Sequence, residues 1–301
     1  MHIGLIDVDK TDYPNLVLMK LSAWYKSQGH TVDLLSPSDV LGGDSLFNPH
    51  DKLIGACVFT KNMGIVKALR LQGADVAGCG TDDKRELPYE IEHIYPDYSL
   101  YGITNTAYGF LSRGCPRGCP FCIVAGKEGK QSRKVADLSE WWRGQKEIKL
   151  CDPNLLACPE RDDLLEQLAD SKARVDVNQG FDARLLTPDV IEKMNKVNIS
   201  VLHFAWDNPK DTIVQEKLAL YSELGKVQGV RYKKVYCLTN YWSTFEEDLH
   251  RVYWLRDNGY DPYVMIYDKE KAPKRLRHLQ RWVNNKFIFR SCDKFEDYKA
   301  V

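Results

Sequence analysis

The sequence predicts an α/β protein in two successive parts: a small open parallel sheet of Rossmann-like or flavodoxin-like type, then a run of six strand-plus-helix units. Three observations carry this expectation. Short apolar runs alternate with stretches of helical spacing along the 301 residues, as in chains built from parallel crossover units. A hydrophobic fraction of 44% is enough for sizeable cores in a chain of this length. A segment rich in proline and tyrosine, Leu87 to Tyr101, interrupts the alternation and reads as an extended connector.

In the first part, His2 to Val8 reads as a strand and Asn15 to Gln28 as a helix, with Val17, Leu21 and Trp24 at helical spacing and Gly29 as its stop. His30 to Leu35, Lys52 to Phe59 and Ala74 to Ala77 continue the strands, with a helix over Gly64 to Gln72. Ligands of such sheets bind in the crevice outside the carboxyl ends of the strands. A boundary near residues 100 to 105 makes 1–103 the first domain. Beyond it, strands are expected near Thr106 to Leu111, Glu147 to Cys151, Ala173 to Asn178, Asn198 to Trp206, Lys233 to Leu238 and Tyr260 to Ile266. Six units are too few for a closed eight-fold barrel. They span 104–268 and leave 269–301 as a basic extension with a helix around Pro273 to Val283.

Composition removes several function classes. Formal net charge is zero, from 42 basic and 42 acidic side chains, so no global field draws the chain to nucleic acid, membrane or acidic partners. The segment Met1 to Asp7 has no basic, long-apolar or small-residue signal pattern, and no later stretch approaches the ~20 apolar residues of a membrane span. A cytoplasmic protein without a membrane partner is the expectation. Nine cysteines then imply reduced thiols or metal ligands rather than a disulfide framework.

Three of those cysteines, Cys115, Cys119 and Cys122, stand in a Cys-x3-Cys-x2-Cys spacing within Ser112 to Cys122. Pro116 and Pro120 prevent a regular helix, while Gly114 and Gly118 let the backbone bend so that the thiolates converge. A cubane cluster of four irons suits this loop, with three irons ligated and the fourth open to a ligand that is not protein. Structural zinc is the alternative, and it requires a fourth Cys or His from elsewhere. Cys151 and Cys158 are candidates for an auxiliary cluster.

The loop resembles the signature of the radical S-adenosylmethionine superfamily, with Arg113-Gly114 before the first cysteine and the aromatic Phe121 before the third. The resemblance implies a partial (β/α)6 TIM-like barrel over the six units, a [4Fe-4S] cluster, and S-adenosylmethionine chelated to the open iron. It also implies one-electron cleavage to a 5′-deoxyadenosyl radical, with a reductant such as flavodoxin or ferredoxin. The backbone at Phe121 then lies near the adenine. Working residues of parallel barrels sit at the carboxyl ends of strands, and the second strand ends in Cys151-Asp152-Pro153-Asn154. Asp152 and Asn154 are cofactor candidates there, or they form a turn with Pro153. After the third strand, Gln179 and Asp182 are candidates for the ribose hydroxyls and Arg184 for the methionine carboxylate, with an ordinary Asp-Arg ion pair as the alternative. Asp207 is a further cofactor candidate, while Asn240, Tyr241 and Tyr267 are candidates to face substrate. His203, within a strand, reads as a core histidine.

Many enzymes of that superfamily carry a cobalamin domain of this α/β type before the barrel. Here the loop after the first strand reads Asp7-Val8-Asp9-Lys10-Thr11-Asp12 and contains no histidine to ligate cobalt, so cobalamin is possible but not favoured. Lys269 to Arg290 holds eight Lys or Arg residues against Glu270, with Trp282, Phe287 and Phe289 interleaved. Such a tail suits RNA or a nucleotide-bearing substrate, although a helix packing Leu276, Leu279 and Val283 under the barrel is favoured. The substrate is a small molecule or RNA, and the reaction outcome is open, with cobalamin-dependent methyl transfer and RNA modification among the readings. A function of another class is a non-catalytic iron–sulfur or zinc protein that binds nucleic acid.

Overall fold

The computed structural model describes residues 1–42 and 49–299. Within them the chain is α/β, with mostly parallel strands, and divides into two compact units. One comprises Met1–Gly109 and Ala136–Ile148, the other Phe110–Val135 and Lys149–Val301.

The first unit opens with β1 (His2–Asp7), α1 (Leu16–Ser27), β2 (Thr31–Leu35) and α2 (Pro37–Leu41). It continues with β3 (Lys52–Ala56), α3 (Met63–Leu71), β4 (Asp75–Ala77), α4 (Tyr89–Glu92) and β5 (Thr106–Gly109). Four strands form a parallel sheet in the order β2-β1-β3-β4. Both faces of β1 are covered, because Ile3 and Leu5 join one apolar cluster with Leu18 of α1 while Ile6 joins another with Val66 and Leu69 of α3. A strand buried on both faces reads as a continuous apolar run, which is why β1 is so plain in the sequence. Helix α1 starts where Asn15 accepts hydrogen bonds from the amides of Val17 and Leu18, and Gly29 follows its end at φ +78°.

The connector is less extended than the sequence suggests. Pro88 stands at the N-cap of α4, with Glu90 and Glu92 in the first turn, where the helix dipole favours acids. Asp97 caps a second short turn, Tyr98–Tyr101, and accepts from Ser22 Oγ and Lys26 Nζ of α1 at 2.6 and 2.7 Å. These ties to α1 override the turn-like composition.

The remaining elements are β6 (Ser112–Arg113), α5 (Val124–Lys127), β7 (Arg133–Lys134), β8 (Glu147–Leu150), α6 (Arg161–Asp170), β9 (Arg174–Val177) and α7 (Pro188–Lys196). They are followed by β10 (Ile199–Ala205), α8 (Thr212–Leu224), β11 (Lys233–Thr239), α9 (Phe245–Asp257), β12 (Asp261–Ile266), α10 (Lys274–Asn284) and α11 (Lys286–Ser291). A six-stranded sheet runs β12-β11-β10-β9-β8-β5, so its strands lie side by side in chain order, and β9 through β12 pair in parallel. The strand expected over Thr106 to Leu111 stops at Gly109. Leu111 and Ser112 instead give their amides to the Asp152 carboxylate, at 2.8 and 2.6 Å.

The C-terminal helices complete a core. Leu276, Leu279, Trp282 and Val283 of α10 and Phe289 of α11 cluster with Val252 of α9 and Val264 of β12. The basic side chains are partly used internally: Arg275 stacks on Phe245 at 3.7 Å, and Lys286 Nζ lies 2.7 Å from Asp261. Among the described residues no helix is long and apolar enough to cross a membrane.

Candidate metal centre

The cysteine loop is an excursion closed at its base by an antiparallel clasp. Ser112 and Arg113 of β6 pair with Lys134 and Arg133 of β7, and the Val135 amide donates to Leu111 O. Gly114 turns the chain into the loop at φ +86°, and a Cβ there would meet Gln131 O at 2.0 Å. No other residue fits that approach. Cys115 N donates to Gly129 O and Cys122 N to Cys119 O, which fixes the backbone around all three thiols.

Polar strand ends converge on this loop. Asn154, buried after β8, donates through Nδ2 to Cys115 Sγ at 3.5 Å and to Asp182 Oδ2 at 3.3 Å, while Ser132 Oγ holds its carbonyl. Both Nδ2 partners are acceptors, so Oδ1 points away from them and is a buried oxygen without a donor among the described residues. An orphaned acceptor of that kind costs roughly 1–3 kcal/mol unless something donates to it. Asp182 is bound by Arg117 Nε at 2.6 Å and Arg184 Nε at 2.7 Å, and these cations outweigh burial to hold its carboxyl below the usual range. Burial pushes the Cys119 thiol up, opposed by the nearby Arg184 and reinforced by Asp207 and the other two thiols. Arg184 and Asp207 therefore lie within electrostatic reach of the loop.

The sequence-derived candidates differ in what they do. Arg184 is already engaged, since besides Asp182 it reaches Asp211 at 3.3 Å. Gln179 is exposed and makes no side-chain hydrogen bond among the described residues. Asp152 is fully buried and accepts from Leu111 N, Ser112 N and Ser112 Oγ, so it anchors the start of the clasp. Burial also pushes the Asp207 carboxyl up, against the pull of Arg251 and the Leu238 amide. Asn240 adopts φ +62° and donates through Nδ2 to Tyr267 O at 2.8 Å, which ties the ends of β11 and β12 together.

Three of the aromatic candidates meet. Phe121 lies 5.5 Å from Tyr241, and Tyr241 lies 4.7 Å from Tyr267, all edge-to-face. Trp242 joins them at 5.3 Å from Phe121, a member that sequence reasoning missed although it adjoins Tyr241. Arg117 was missed too, hidden within the motif between Pro116 and Gly118. Outside the loop, burial pushes the thiols of half-buried Cys151 and buried Cys158 up to about 12 and about 11, and the Cys158 thiol donates to Glu160 at 3.2 Å. His203 is buried against Val177 O and stacked on Tyr236, as expected of a core histidine.

Among the described residues, Cys115, Cys119 and Cys122 do not bring their sulfurs all within 4.8 Å of one another. The hydrogen bond to Cys115 Sγ and the buried acceptor of Asn154 fit a thiolate-bound group with a polar ligand beside it.

In the first unit, the crevice outside the carboxyl ends of β1 and β3 is filled by the chain itself. Asp9 accepts from the amides of Val58 and Phe59 at 2.5 and 3.2 Å and from Asn62 Nδ2 at 2.8 Å. These are the donors an anionic ligand would need at a switch point. Compared with protein-family models the chain matches none, and it matches no curated protein.

Proposed function

We propose that this chain is a radical S-adenosylmethionine enzyme that holds a [4Fe-4S] cluster on Cys115, Cys119 and Cys122. The carrying observation is the clasped three-cysteine loop, with Asn154 Nδ2 on Cys115 Sγ and its Oδ1 left without a donor among the described residues. Neighbouring strands in chain order support reading the second sheet as a partial (β/α)6 barrel. When bound, the cluster supplies the electron that cleaves S-adenosylmethionine to methionine and a 5′-deoxyadenosyl radical.

The residues of the chain would bind, orient and shield. Asn154 Nδ2 steadies the charge on Cys115 sulfur, and hydrogen bonds to cluster sulfurs raise the reduction potential. Arg117 and Arg184 keep Asp182 ionised beside Asn154, and this filled carboxylate holds Arg117, Asn154 and Arg184 in place at the loop. Phe121, Tyr241, Trp242 and Tyr267 offer flat apolar surface able to keep water from a reactive intermediate. The electron donor would be a flavodoxin or ferredoxin of the cytoplasm, where thiols stay reduced. Cobalamin is not part of this reading, because Asp9 uses the crevice donors of the first unit.

The test is anaerobic reconstitution with iron and sulfide, followed by dithionite and S-adenosylmethionine. Release of 5′-deoxyadenosine by the wild-type chain, abolished in Cys119→Ala, is expected. Bound zinc in place of iron, with no product and no spectral response to S-adenosylmethionine, would overturn the proposal.

A further inference from the structure

A second cluster of ligating side chains lies far from the cysteines in sequence and within the first unit. Asp33 of β2 directs Oδ2 at two imidazoles, His2 Nε2 of β1 at 2.8 Å and His50 Nε2 at 3.1 Å. The two rings stand 4.3 Å apart, and the three ligand atoms all lie within 4.8 Å of one another. Among the described residues this is the only group of three or more His, Cys, Asp or Glu side chains that meets that criterion.

The sheet builds the convergence. In the β1·β2 register Gly4 faces Asp33, and His2 is two residues from Gly4 on the same face. Gly4 has no side chain, and Leu35, Leu53 and the His50 ring share that space: a Cβ on Gly4 would lie 2.7 Å from Leu35 Cδ1 and from Leu53 Cδ2 and 3.1 Å from His50 Cγ. His50 can thus reach across β1 to the carboxylate on β2. Its backbone is held by reciprocal bonds between His2 and Asp51, with the His2 amide donating to Asp51 Oδ2 at 2.6 Å and the Asp51 amide to His2 O at 2.8 Å.

We propose that His2, Asp33 and His50 bind a divalent transition cation of zinc type. Two imidazoles and one carboxylate favour zinc, iron, cobalt or nickel over magnesium or calcium. Ligand atoms on one tetrahedral ion, each about 2 Å from it, are about 3.3 Å apart. The observed 2.8 and 3.1 Å need open only slightly to admit it. His50 is 7% exposed and Asp33 54%, so one side of the site is built into the sheet and the other is open to water that completes the shell. Each imidazole would bind through Nε2 as the tautomer carrying its proton on Nδ1. The ion would tie β1, β2 and the segment leading into β3 together at one end of the sheet. This site is independent of the cysteine chemistry.

The experiment uses the full chain and cobalt(II) as the probe, with X-ray absorption to separate nitrogen and oxygen neighbours from sulfur. The wild-type chain should bind a cobalt ion with nitrogen and oxygen neighbours only, and that ion should persist in Cys119→Ala. It should be lost in both Asp33→Asn and His50→Gln, whereas sulfur-bound cobalt, if present, should remain. Asp33 is largely exposed, so Asp33→Asn is the variant least able to disturb folding, and circular dichroism checks each protein. Zinc should raise the thermal unfolding midpoint of the wild type and not of Asp33→Asn. A nitrogen- and oxygen-bound ion unchanged in both folded variants, or cobalt found on sulfur alone in the wild type, would overturn the assignment.

Discussion

Asp152 illustrates how one side chain can be misread from sequence and still matter to the site. At a strand end it reads as a cofactor contact or a turn former, yet it is buried and receives two amides and a hydroxyl from Leu111 and Ser112. Burial outweighs those donors and pushes its carboxyl up to about 7. Between about pH 4 and pH 7 the folded chain therefore holds a proton at Asp152 that the unfolded chain has released, so this group's contribution to stability falls as pH rises. Asp152→Asn removes that titration. In urea unfolding the variant should be less stable than wild type by a margin that shrinks from about pH 5 to about pH 8. An equal margin at both pH values would mean that Asp152 is ionised throughout. Proximity of Asp152 to the Leu111 amide spans 41 residues of sequence, and no local pattern reports it.

At the scale of elements, strands and helices were largely legible because their signals are local. The first strand, expected over His2 to Val8, is His2–Asp7, and the helix expected over Asn15 to Gln28 is Leu16–Ser27 with Asn15 as its cap. The clasp of β6 and β7 was not legible, since a two-residue pairing has no periodicity to detect. Nor was the stitch that joins β10, β11 and α9. Fully buried Arg251 donates to the carbonyls of Trp206, Asp207 and Leu238 and pairs with buried Asp248. Those carbonyls lie at the strand ends that carry Asp207 and precede Tyr241, so the stitch sets the backbone from which the site projects. Arg251→Met should destabilise the chain by about 3–5 kcal/mol, because Asp248 would be left as an uncompensated buried charge. Replacing both, with Asp248→Leu added, should recover part of the loss in the same denaturant titration.

At the scale of the whole molecule, the basic C-terminal segment belongs to the fold before it belongs to any partner. Leu276, Leu279, Trp282 and Val283 are buried with Val252 and Val264, so the amphipathic spacing of α10 reports a core contact. A chain ending after Ala272 would expose that cluster, and at about 1.5–3 kcal/mol per buried apolar side chain the loss is comparable to the whole stability of an ordinary domain. Such a chain should lose cooperative unfolding and bind a hydrophobic dye. Retention of a sharp transition would show that α10 and α11 are dispensable.

What the sequence determined by itself follows from local chemistry. Strand and helix periodicities, the glycine stop of α1, and the cysteine spacing with its prolines and glycines are each carried by a few adjacent residues, and they establish an α/β chain bearing a three-cysteine loop. Only the tertiary structure decided which polar groups are spent and which remain for a ligand. Asp182 and Arg184 bind one another, Asp9 fills the crevice of the first unit, and Asn154 keeps an oxygen without a donor. His2, Asp33 and His50, separated by up to 48 residues, meet because a glycine on β1 leaves room for a ring. The physical reason is the same in each case: a hydrogen bond or a coordination sphere depends on distance through space, which chain spacing encodes only within a turn or two.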